Sequence, residues 1–485
     1  MQSMPEYLHP GVFVQEIASG VQAIEGVATT TAAFIGAAER GPLRPCLVHS
    51  LSEYGQHFGG TSVDGFLPLA VRGFYENGGG RLFVCRTTPD TRTAGVDLGD
   101  WSIRAVGPGA WGRRVWLTVG PGSTLRADGS PVGFRVRAAY FAPDREIYDP
   151  FSAANATRMP RPQYLEDFDD VRIEDFSPDH IDSVLITVSR DTASPALAPP
   201  PFNGLLDEVA ADATPVPQGL AALIDPICDE VSLVYAPAAD ESLQRAIVAF
   251  CQQRPNRFAI LDVARGITDL SSLHPRTTIA DSAFAALYAP WLRIADASGA
   301  PMTAPPGGHV AGMIVRVDRE RGVHKAPANE ILKGVLGLET AIDDRLQQEL
   351  NPRGINAIRE FPEHGIRVWG ARTLSSDSEW KYVNVRRYFI FLELSVYLGT
   401  QWAVFERNDE ALWTRVREVL RAFLYSQWRA GALLGDREET AFFVHCGRDT
   451  MTQADIDMGR LIIEIGCAPL RPAEFIVLRF EHHIA

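Results

Sequence analysis

Residues 231–263 read VSLVYAPAADESLQRAIVAFCQQRPNRFAILDV. The apolar runs Val231–Tyr235 and Phe258–Val263 predict two strands, and the amphipathic stretch Glu241–Gln252 between them predicts a helix. A strand, a helix and a second strand in this order are typical of a βαβ unit in a mostly parallel sheet. The stretch therefore predicts an α/β core.

The same alternation occurs earlier in the chain. Ala32–Ala37 predicts a strand, apolar residues at helical spacing over Leu67–Tyr75 predict a helix, and Leu82–Cys85 predicts the next strand. Glycines at Gly78–Gly80 end that helix. We expect residues 231–263 to complete the sheet that this first region begins.

Between these regions, from about Thr93 to Pro217, helical periodicity is scarce. Short strand-like runs such as Val115–Val119 and Val132–Val136 are separated by Pro, Gly and Asp. The acidic run Glu166–Asp175 lacks the spacing and the glycine of a calcium loop, so we interpret it as a solvated face. The pattern predicts a β-rich inserted domain that ends in a Pro-rich link near Pro195–Pro201.

The last third of the chain, from about Ile331, is rich in helical patterns. One helix carries apolar residues at the spacing of a buried face: Leu412, Val416, Val419, Leu420, Phe423 and Leu424. Its other positions are basic, with arginines at Arg415, Arg417, Arg421 and Arg429. This basic region lies within a chain whose net charge is −14.

Both ends of the sequence are patterned as extended arms. Near the start, Val12 and Val14 alternate with Phe13 and Gln15 after a Pro-Gly turn signal. Near the end, residues 474–485 alternate so that apolar side chains share one face: Ile476, Leu478, Phe480 and Ile484. Because chain ends normally fray, strands of this kind need a sheet to join.

Composition limits the function classes. The acidic net charge of −14 argues against a general nucleic-acid binder, since a phosphate backbone would repel it. The apolar segment Tyr388–Phe405 carries Glu393 near its middle, so we interpret it as a helix buried in protein rather than a membrane span. The first residues lack the basic and apolar regions of a secretory signal. The six cysteines are isolated in sequence and most lie in apolar runs, which predicts buried reduced thiols and synthesis in the cytosol.

None of the matches to enzyme motifs has the sequence context that its chemistry requires. Gly107–Gly112 matches G-x-G-x-x-G but precedes a strand rather than a helix, and Gly78–Arg81 closes a helix, which reverses the order of a phosphate loop. Ser378 and Lys381 lack the companion elements of an acyl-enzyme site. His482 and His483 are adjacent, so on a strand they point to opposite faces. We expect no catalytic residue, no cofactor and no metal.

Several phrases, in order along the chain, resemble the contractile tail sheath family of phages, R-type bacteriocins and extracellular injection systems. They are His9–Glu16, Gly26–Gly36, Leu51–Gly60, Phe74–Arg86, Gly109–Gly112, Pro305–Gly312, Gly322–Asn329, Leu350–Asn356, Val368–Thr373 and Trp380–Arg387. The region from about residue 120 to residue 215 matches this family poorly. Each phrase is weak alone, and their common order makes the resemblance specific.

The resemblance implies an assembly. Sheath subunits form six-membered rings stacked around an inner tube on a baseplate, with the inserted domain outside and the arms in a sheet shared with neighbouring copies. The implied inter-subunit residues are Val12, Phe13, Val14 and Glu16 in the first arm and Phe475, Ile476, Val477, Leu478, Phe480 and Ile484 in the second. The implied partners are other copies of the chain, an inner tube, a baseplate and a terminal cap, without nucleic acid or direct membrane insertion.

Together, pattern and resemblance predict an α/β plus α+β multi-domain protein. The expected divisions are an N-terminal arm (1–20), an α/β domain (21–92 and 218–345), a β-rich inserted domain (93–217), a helix-rich inner domain (346–472) and a C-terminal arm (473–485). The four arginines of the basic helix either face an acidic tube or form a solvated face with intrachain ion pairs. A receptor-recognition component of the same particle and an α/β enzyme remain alternative functions. The sequence does not distinguish a phage tail from a bacteriocin or an injection system, although overall likeness favours the last.

Overall fold

The computed structural model describes residues 23–60, 65–174, 176–191, 197–208, 216–267, 269–296 and 298–475. The predicted N-terminal arm lies outside these residues, as does the C-terminal arm beyond residue 475. The chain divides into two compact units. Among the described residues, the large unit comprises 28–391 and 471–475, and the small unit comprises 23–27 and 392–470.

The large unit contains a nine-stranded sheet. In spatial order its strands are β17 (Glu330–Ile331), β20 (Gly365–Val368), β19 (Ile355–Phe361), β14 (Ala285–Ala289), β13 (Phe258–Asp262), β12 (Leu233–Tyr235), β1 (Thr31–Ala37), β3 (Arg81–Thr87) and β2 (Cys46–Val48). The six strands from β19 to β3 are parallel, and β17, β20 and β2 pair antiparallel with their neighbours. The predicted α/β core is confirmed, and the pairing of β1 with β12 joins the two predicted halves of the sheet.

Helices cover both faces of this sheet, which explains why the central parallel strands β1, β12, β13 and β14 are almost wholly apolar. The helices of this region are α1 (Leu51–Phe58), α2 (Leu67–Glu76), α3 (Glu241–Gln253), α4 (Pro275–Thr278), α5 (Gly307–Arg321), α6 (Asp344–Leu350) and α7 (Val383–Gly399). Successive side chains of β1 enter different cores: Phe34 packs in the core that contains α2 and α5, and Ile35 packs in the core that contains α3.

The inserted region forms two four-stranded sheets around a shared core. One sheet has the order β10 (Phe202–Leu205), β6 (Val115–Pro121), β7 (Phe134–Tyr140) and β8 (Tyr164–Val171). The other has the order β11 (Asp207–Glu208), β4 (Ala94–Leu98), β5 (Trp101–Ala105) and β9 (Ile186–Arg190). Trp101 and Phe134 are buried between them with ring centroids 4.8 Å apart. The predicted β-rich insertion is confirmed.

The acidic run Glu166–Asp175 differs from the prediction, because its first part is strand β8 rather than a wholly solvated face. The alternation of the strand turns Glu166 inward, where it accepts hydrogen bonds from the Ser183 hydroxyl and from the backbone N–H of Val184 at 2.9 Å. Burial raises the pKa of Glu166. Asp167 faces outward and pairs with Arg135 at 2.6 Å.

Residues 346–391, which the sequence assigned to the helix-rich inner domain, lie in the large unit. Strands β19 and β20 extend the nine-stranded sheet there, so the C-terminal part of the small unit begins at Leu392 rather than at residue 346. A further three-stranded sheet in the large unit has the order β16 (Pro301–Ala304), β15 (Leu292–Ala295) and β18 (Val335–Leu338).

The small unit contains three helices and a two-stranded sheet after the end of α7. These are α8 (Glu410–Arg429), α9 (Glu438–Ala441), α10 (Gln453–Asp457), β21 (Phe442–His445) and β22 (Glu464–Cys467). The six predicted core residues of α8 are all buried. None of the described helices is long and apolar enough to cross a membrane, and α7 contains most of the apolar segment Tyr388–Phe405.

Candidate functional site

The predicted inter-subunit residues fall mostly outside the described residues. This applies to Val12, Phe13, Val14 and Glu16 of the first arm and to Ile476, Val477, Leu478, Phe480 and Ile484 of the second. Phe475 is described, and its side chain is largely exposed. The inter-subunit role of these residues stays a prediction. We call residues 471–475, the last described residues of the chain, the C-terminal root.

The C-terminal root is held by one carboxylate. Glu474 accepts two hydrogen bonds of 2.7 Å from Nε and Nη2 of Arg372, one of 2.9 Å from the amide of Asn351, and one of 3.1 Å from the Tyr382 hydroxyl. The Lys381 ammonium lies 3.4 Å away. We call these four partners and Glu474 the root clamp. A bidentate contact between Arg and a carboxylate is strong and directional.

The root clamp lies largely out of solvent, with the Arg372 side chain 10% exposed and that of Glu474 18% exposed. Burial alone would raise the pKa of Glu474. Hydrogen bonds from Arg372 and Asn351, with the charges of Arg372 and Lys381, outweigh it and lower the pKa to about 2. The carboxylate is therefore charged at neutral pH.

The root clamp is tied to the nine-stranded sheet through Asn356 of β19. The fully buried Asn356 side chain accepts a hydrogen bond from the Arg372 backbone N–H at 2.7 Å. It donates to the carbonyls of Arg372 at 2.8 Å and of Leu287 on β14 at 3.2 Å. Gly370 permits this approach, since a Cβ there would lie 2.9 Å from the Asn356 Oδ1.

Three of the family-like phrases meet at this place. Leu350–Asn356 supplies Asn351 and Asn356, Val368–Thr373 supplies Arg372, and Trp380–Arg387 supplies Lys381 and Tyr382. Sequence reasoning found the phrases but missed that they converge on Glu474. The only local signal was a single carboxylate at the start of an apolar arm, and Arg372 is 102 positions away.

A second buried charge pair lies where the N-terminal segment enters the large unit. Arg387 on α7 donates to both carboxylate oxygens of Asp318 on α5, at 2.9 and 2.7 Å. Thr29 joins them: its hydroxyl donates to Asp318 at 2.8 Å, and its carbonyl accepts from Arg387 at 3.0 Å. This pair fixes the backbone two residues before β1.

In the small unit, residues 23–27 are held along α7. The Val27 N–H donates to the Ser395 hydroxyl at 3.1 Å. The absence of a side chain at Gly399 leaves room for Ile24, because a Cβ at this glycine would lie 2.5 Å from Cγ1 of Ile24. The described residues that lead out of the first arm thus attach to the small unit, whereas the C-terminal root attaches to the large unit.

A groove of about 660 Å³ lies beside the C-terminal root within the large unit. Its lining includes Trp369, Gln347, Arg359 and Phe475. Arg359 is already paired with Asp344 at 2.7 Å and with the Gln347 amide oxygen at 2.7 Å. The charged groups of the groove therefore bind one another.

The four arginines of α8 have different surroundings within the small unit. The Arg415 guanidinium lies 4.1 Å from the centre of the Trp402 ring. Arg417 donates to the Cys446 carbonyl and to Thr414 at 2.9 Å, and Arg421 pairs with Glu438. Arg429 is exposed, and no hydrogen bond or ion pair joins it to the part of the chain that the structure describes. Their role toward a tube stays a prediction, with Arg429 the arginine best placed for it.

The small unit also exposes several large apolar side chains. Tyr397, Leu398, Val404 and Phe405 lie at the end of α7 and in the loop after it. Phe405 is fully exposed, and its φ of 67° lies in the left-handed region that bulky residues rarely adopt. Exposed apolar groups of this density are typical of contact surfaces.

The two-stranded sheet β21–β22 is a further open feature. No other strand of the described ranges pairs with either of its edges. Phe443 and Ile465 keep much of their surface exposed. An isolated two-stranded sheet is marginal in water, so its edges can accept further strands.

An α/β enzyme binds its ligand at the carboxyl ends of its parallel strands. In this chain, side chains of the strands and the first residues of α5 contact one another at that place. Asp262 is the last residue of β13 and accepts hydrogen bonds from the Tyr235 hydroxyl at 2.6 Å and from the Gly307 N–H at 2.9 Å. Burial raises the pKa of Asp262 to about 7. A Cβ at Gly307 would lie 2.2 Å from the ring of Tyr235 on β12, so α5 begins directly against the end of β12.

The described residues contain no arrangement of side chains suited to metal binding or to thiol catalysis. No group of three His, Cys, Asp or Glu residues there could hold a metal ion. All six cysteines are free, and burial raises the pKa of the Cys251 thiol to about 12. These thiols are protonated at neutral pH and are poor nucleophiles.

Comparison with protein families gives two adjoining matches. The sequence model of the phage tail sheath protein central domain matches residues 219–374, and that of the phage tail sheath C-terminal domain matches residues 375–482. The chain is also 29% identical over 191 residues to a protein assigned as a prophage major tail sheath protein in Pseudomonas aeruginosa strain UCBPP-PA14. That alignment covers 38% of this chain and 47% of the relative, so the chain spans about half the length of this curated relative.

Solved structures match over nearly the whole chain. The sheath complex of PVC, an extracellular contractile injection system, in its contracted state is 25% identical, with 99% of both chains covered and a TM-score of 0.62. The helical sheath of the anti-feeding prophage (AFP) in its contracted state is 25% identical, with 97% of this chain and 98% of the other covered and a TM-score of 0.62.

Proposed function

The chain belongs to the contractile tail sheath family, and from this we propose that it is the sheath subunit of a contractile injection particle. In this proposal the subunits polymerise as stacked hexameric rings around an inner tube. They contract from a metastable extended state and drive the tube through a target envelope. The observation that carries the proposal is the likeness to the contracted PVC sheath over 99% of both chains.

The arms connect the subunits in this proposal. Residues 12–16 and 475–484 alternate as strands do, and the C-terminal root holds the second arm at a fixed point. Strand addition between chains uses backbone hydrogen bonds, which depend little on sequence and survive reorientation of the attached bodies. The open edges of β21–β22 are the acceptor that we propose for arms of neighbouring copies.

Work in this proposal comes from repacking of rigid bodies. The extended sheath is a kinetic trap, and release buries more surface between subunits. No nucleotide or cofactor takes part, and the role is structural rather than enzymatic. The buried Asp262 supports this view, since its carboxylate serves the start of α5 instead of a ligand.

The partners in this proposal are other copies, an inner tube, a baseplate and a terminal cap. Arg415, Arg417, Arg421 and Arg429 face the tube, where exposed pairings are worth only about 0–1 kcal/mol each, so that the tube can be released. Reversing the charge of Arg417, Arg421 and Arg429 should stop assembly of sheath on tube. Arg126→Glu in the inserted domain is the matched control, because Arg126 is paired with an exposed carboxylate at 2.9 Å. Normal assembly of the triple variant would contradict a tube-facing role.

Electron microscopy after co-expression with tube and baseplate proteins tests the proposal. The full chain should form striated tubes, and chains lacking residues 1–16 or 476–485 should stay folded without forming sheaths. The second deletion ends after residue 475 so that the root clamp stays complete. A full chain that remains monomeric or forms a small closed oligomer would favour a receptor-recognition component. Stabilisation by a small molecule would favour an α/β enzyme.

A further inference from the structure

The C-terminal root contains neither helix nor strand. Residues 471–475 have no regular structure, and Phe475 is largely exposed. Glu474 supplies the directional contacts of this segment, through four hydrogen bonds and a nearby ammonium group. Among the described residues, the directional contacts between the C-terminal root and the large unit are therefore concentrated in the Glu474 side chain.

The strand that precedes the root is weakly supported. β22 ends at Cys467, a few residues before Glu474, and it pairs only with β21 in the described part of the chain. A pull on the end of an antiparallel pair opens its hydrogen bonds one after another. Without an attachment at residue 474, tension on the arm would reach only the isolated bridge between Pro469 and Leu433 and the hydrogen bonds of Ala468 before it separated β22 from β21.

The root clamp provides a stronger mechanical connection between the C-terminal arm and the large unit. Arg372 holds Glu474 with a bidentate ion pair, and its backbone exchanges two hydrogen bonds with the buried Asn356 of β19. β19 lies inside the nine-stranded sheet with β14 and β20 on its two sides. Separating a strand from the interior of a sheet requires breaking two ladders at once.

We propose that the root clamp is a mechanical anchor, through which tension from a neighbouring copy on the C-terminal arm passes into the nine-stranded sheet and bypasses the small unit. The proposal rests on the proposed sheath function. It makes Glu474 and Arg372 positioning residues for assembly and contraction. The anchor sets the point of strand exchange at residue 475, beyond which the arm is available to another copy.

The experiment compares Glu474→Gln with the unmodified chain in complete particles. Glu174→Gln is the matched control, because Glu174 also pairs with an arginine, Arg126, but on the exposed surface of the inserted domain. Two measurements are made: hydrogen exchange of a peptide that contains the Arg372 amide, which donates to Asn356 at 2.7 Å, in the isolated subunit, and the fraction of sheaths broken after triggered contraction. Loss of one charge-assisted hydrogen bond from the Arg372 side chain should make this amide exchange about tenfold faster in Glu474→Gln. Broken sheaths should become more frequent in this variant and not in the control.

The outcomes separate the anchor from the sheath function. If the unmodified chain forms no sheath, the proposed function itself is wrong. If it forms sheaths and Glu474→Gln sheaths contract without breaking, the anchor is wrong and the sheath function stands. Arg372→Lys serves if Glu474→Gln fails to fold, since it keeps the charge but loses the bidentate geometry. Intact contraction of Arg372→Lys sheaths with normal hydrogen exchange of the amide at residue 372 would equally overturn the anchor.

Discussion

The guanidinium of Arg387 and the carboxylate of Asp318 form a bidentate ion pair whose side chains are only 4% and 2% exposed. Removing one member leaves a buried charge without compensation. Asp318→Asn should therefore lower the free energy of unfolding of the large unit by about 3–5 kcal/mol, measured by chemical denaturation. The loss should be far smaller when both members are replaced together by apolar residues, as in Asp318→Leu with Arg387→Met.

The control for this prediction is the exposed pair Arg126–Glu174, with side chains 49% and 61% exposed. Glu174→Gln makes the same change from acid to amide, and it should cost only about 0–1 kcal/mol. Equal stability of Asp318→Asn and Glu174→Gln would show that burial does not govern the strength of the pair.

The root clamp predicts a dependence of stability on pH. The pKa of Glu474 is about 2 in the folded chain and near 4.5 in the unfolded chain. A depressed folded-state pKa gives stability that is complete above the unfolded-state pKa and is lost as the pH falls through the window from 4.5 to 2. About 2 kcal/mol of this contribution should disappear between pH 5 and pH 3.

The measurement is the difference in free energy of unfolding between the unmodified chain and Glu474→Gln at several pH values. Taking the difference removes the other acid-titrating groups, provided that the substitution leaves them undisturbed. The difference should shrink on acidification. A constant difference from pH 6 to pH 3 would mean that the carboxylate is not held as the structure describes.

The nine-stranded sheet was predictable because its strands are apolar on both faces and alternate with amphipathic helices, as in Val231–Val263. β19 and β20 were missed because Arg359, Glu360 and Arg367 interrupt their apolar pattern close to the edge of the sheet. Periodicity also reports nothing about distant partners, so the contact of Glu474 with Arg372 could not be read from spacing. The family-like phrases located the residues of the root clamp without indicating what they hold.

Two helical glycines should respond oppositely to replacement by alanine, because only one of them lies at the close contact between α2 and α5. A Cβ at Gly312 would lie 2.2 Å from the Phe74 carbonyl oxygen, so Gly312→Ala must separate the helices and should cost about 1–3 kcal/mol. A Cβ at Gly55 in α1 meets nothing within 4 Å, and Gly55→Ala should stabilise by about 0.5–1 kcal/mol. Thermal unfolding of both variants measures whether each substitution lowers or raises the stability of the chain. A neutral Gly312→Ala would contradict the close approach of the helices.

The exposed loop after α7 predicts a separation of subunit stability from assembly. Phe405 adopts a φ of 67° and exposes its whole side chain, so Phe405→Gly relieves an unfavourable backbone conformation and removes no packing. The isolated subunit should be unchanged or more stable, by up to about 1 kcal/mol. If the proposed function holds and Phe405 contacts another copy, the same variant should form fewer striated tubes. Leu125→Ser, which removes another exposed apolar side chain but in the inserted domain, should assemble normally. A Phe405→Gly chain that assembles as well as Leu125→Ser would exclude the Phe405 side chain from the contacts of the lattice, because the substitution removes the whole apolar surface that this side chain offers to another copy.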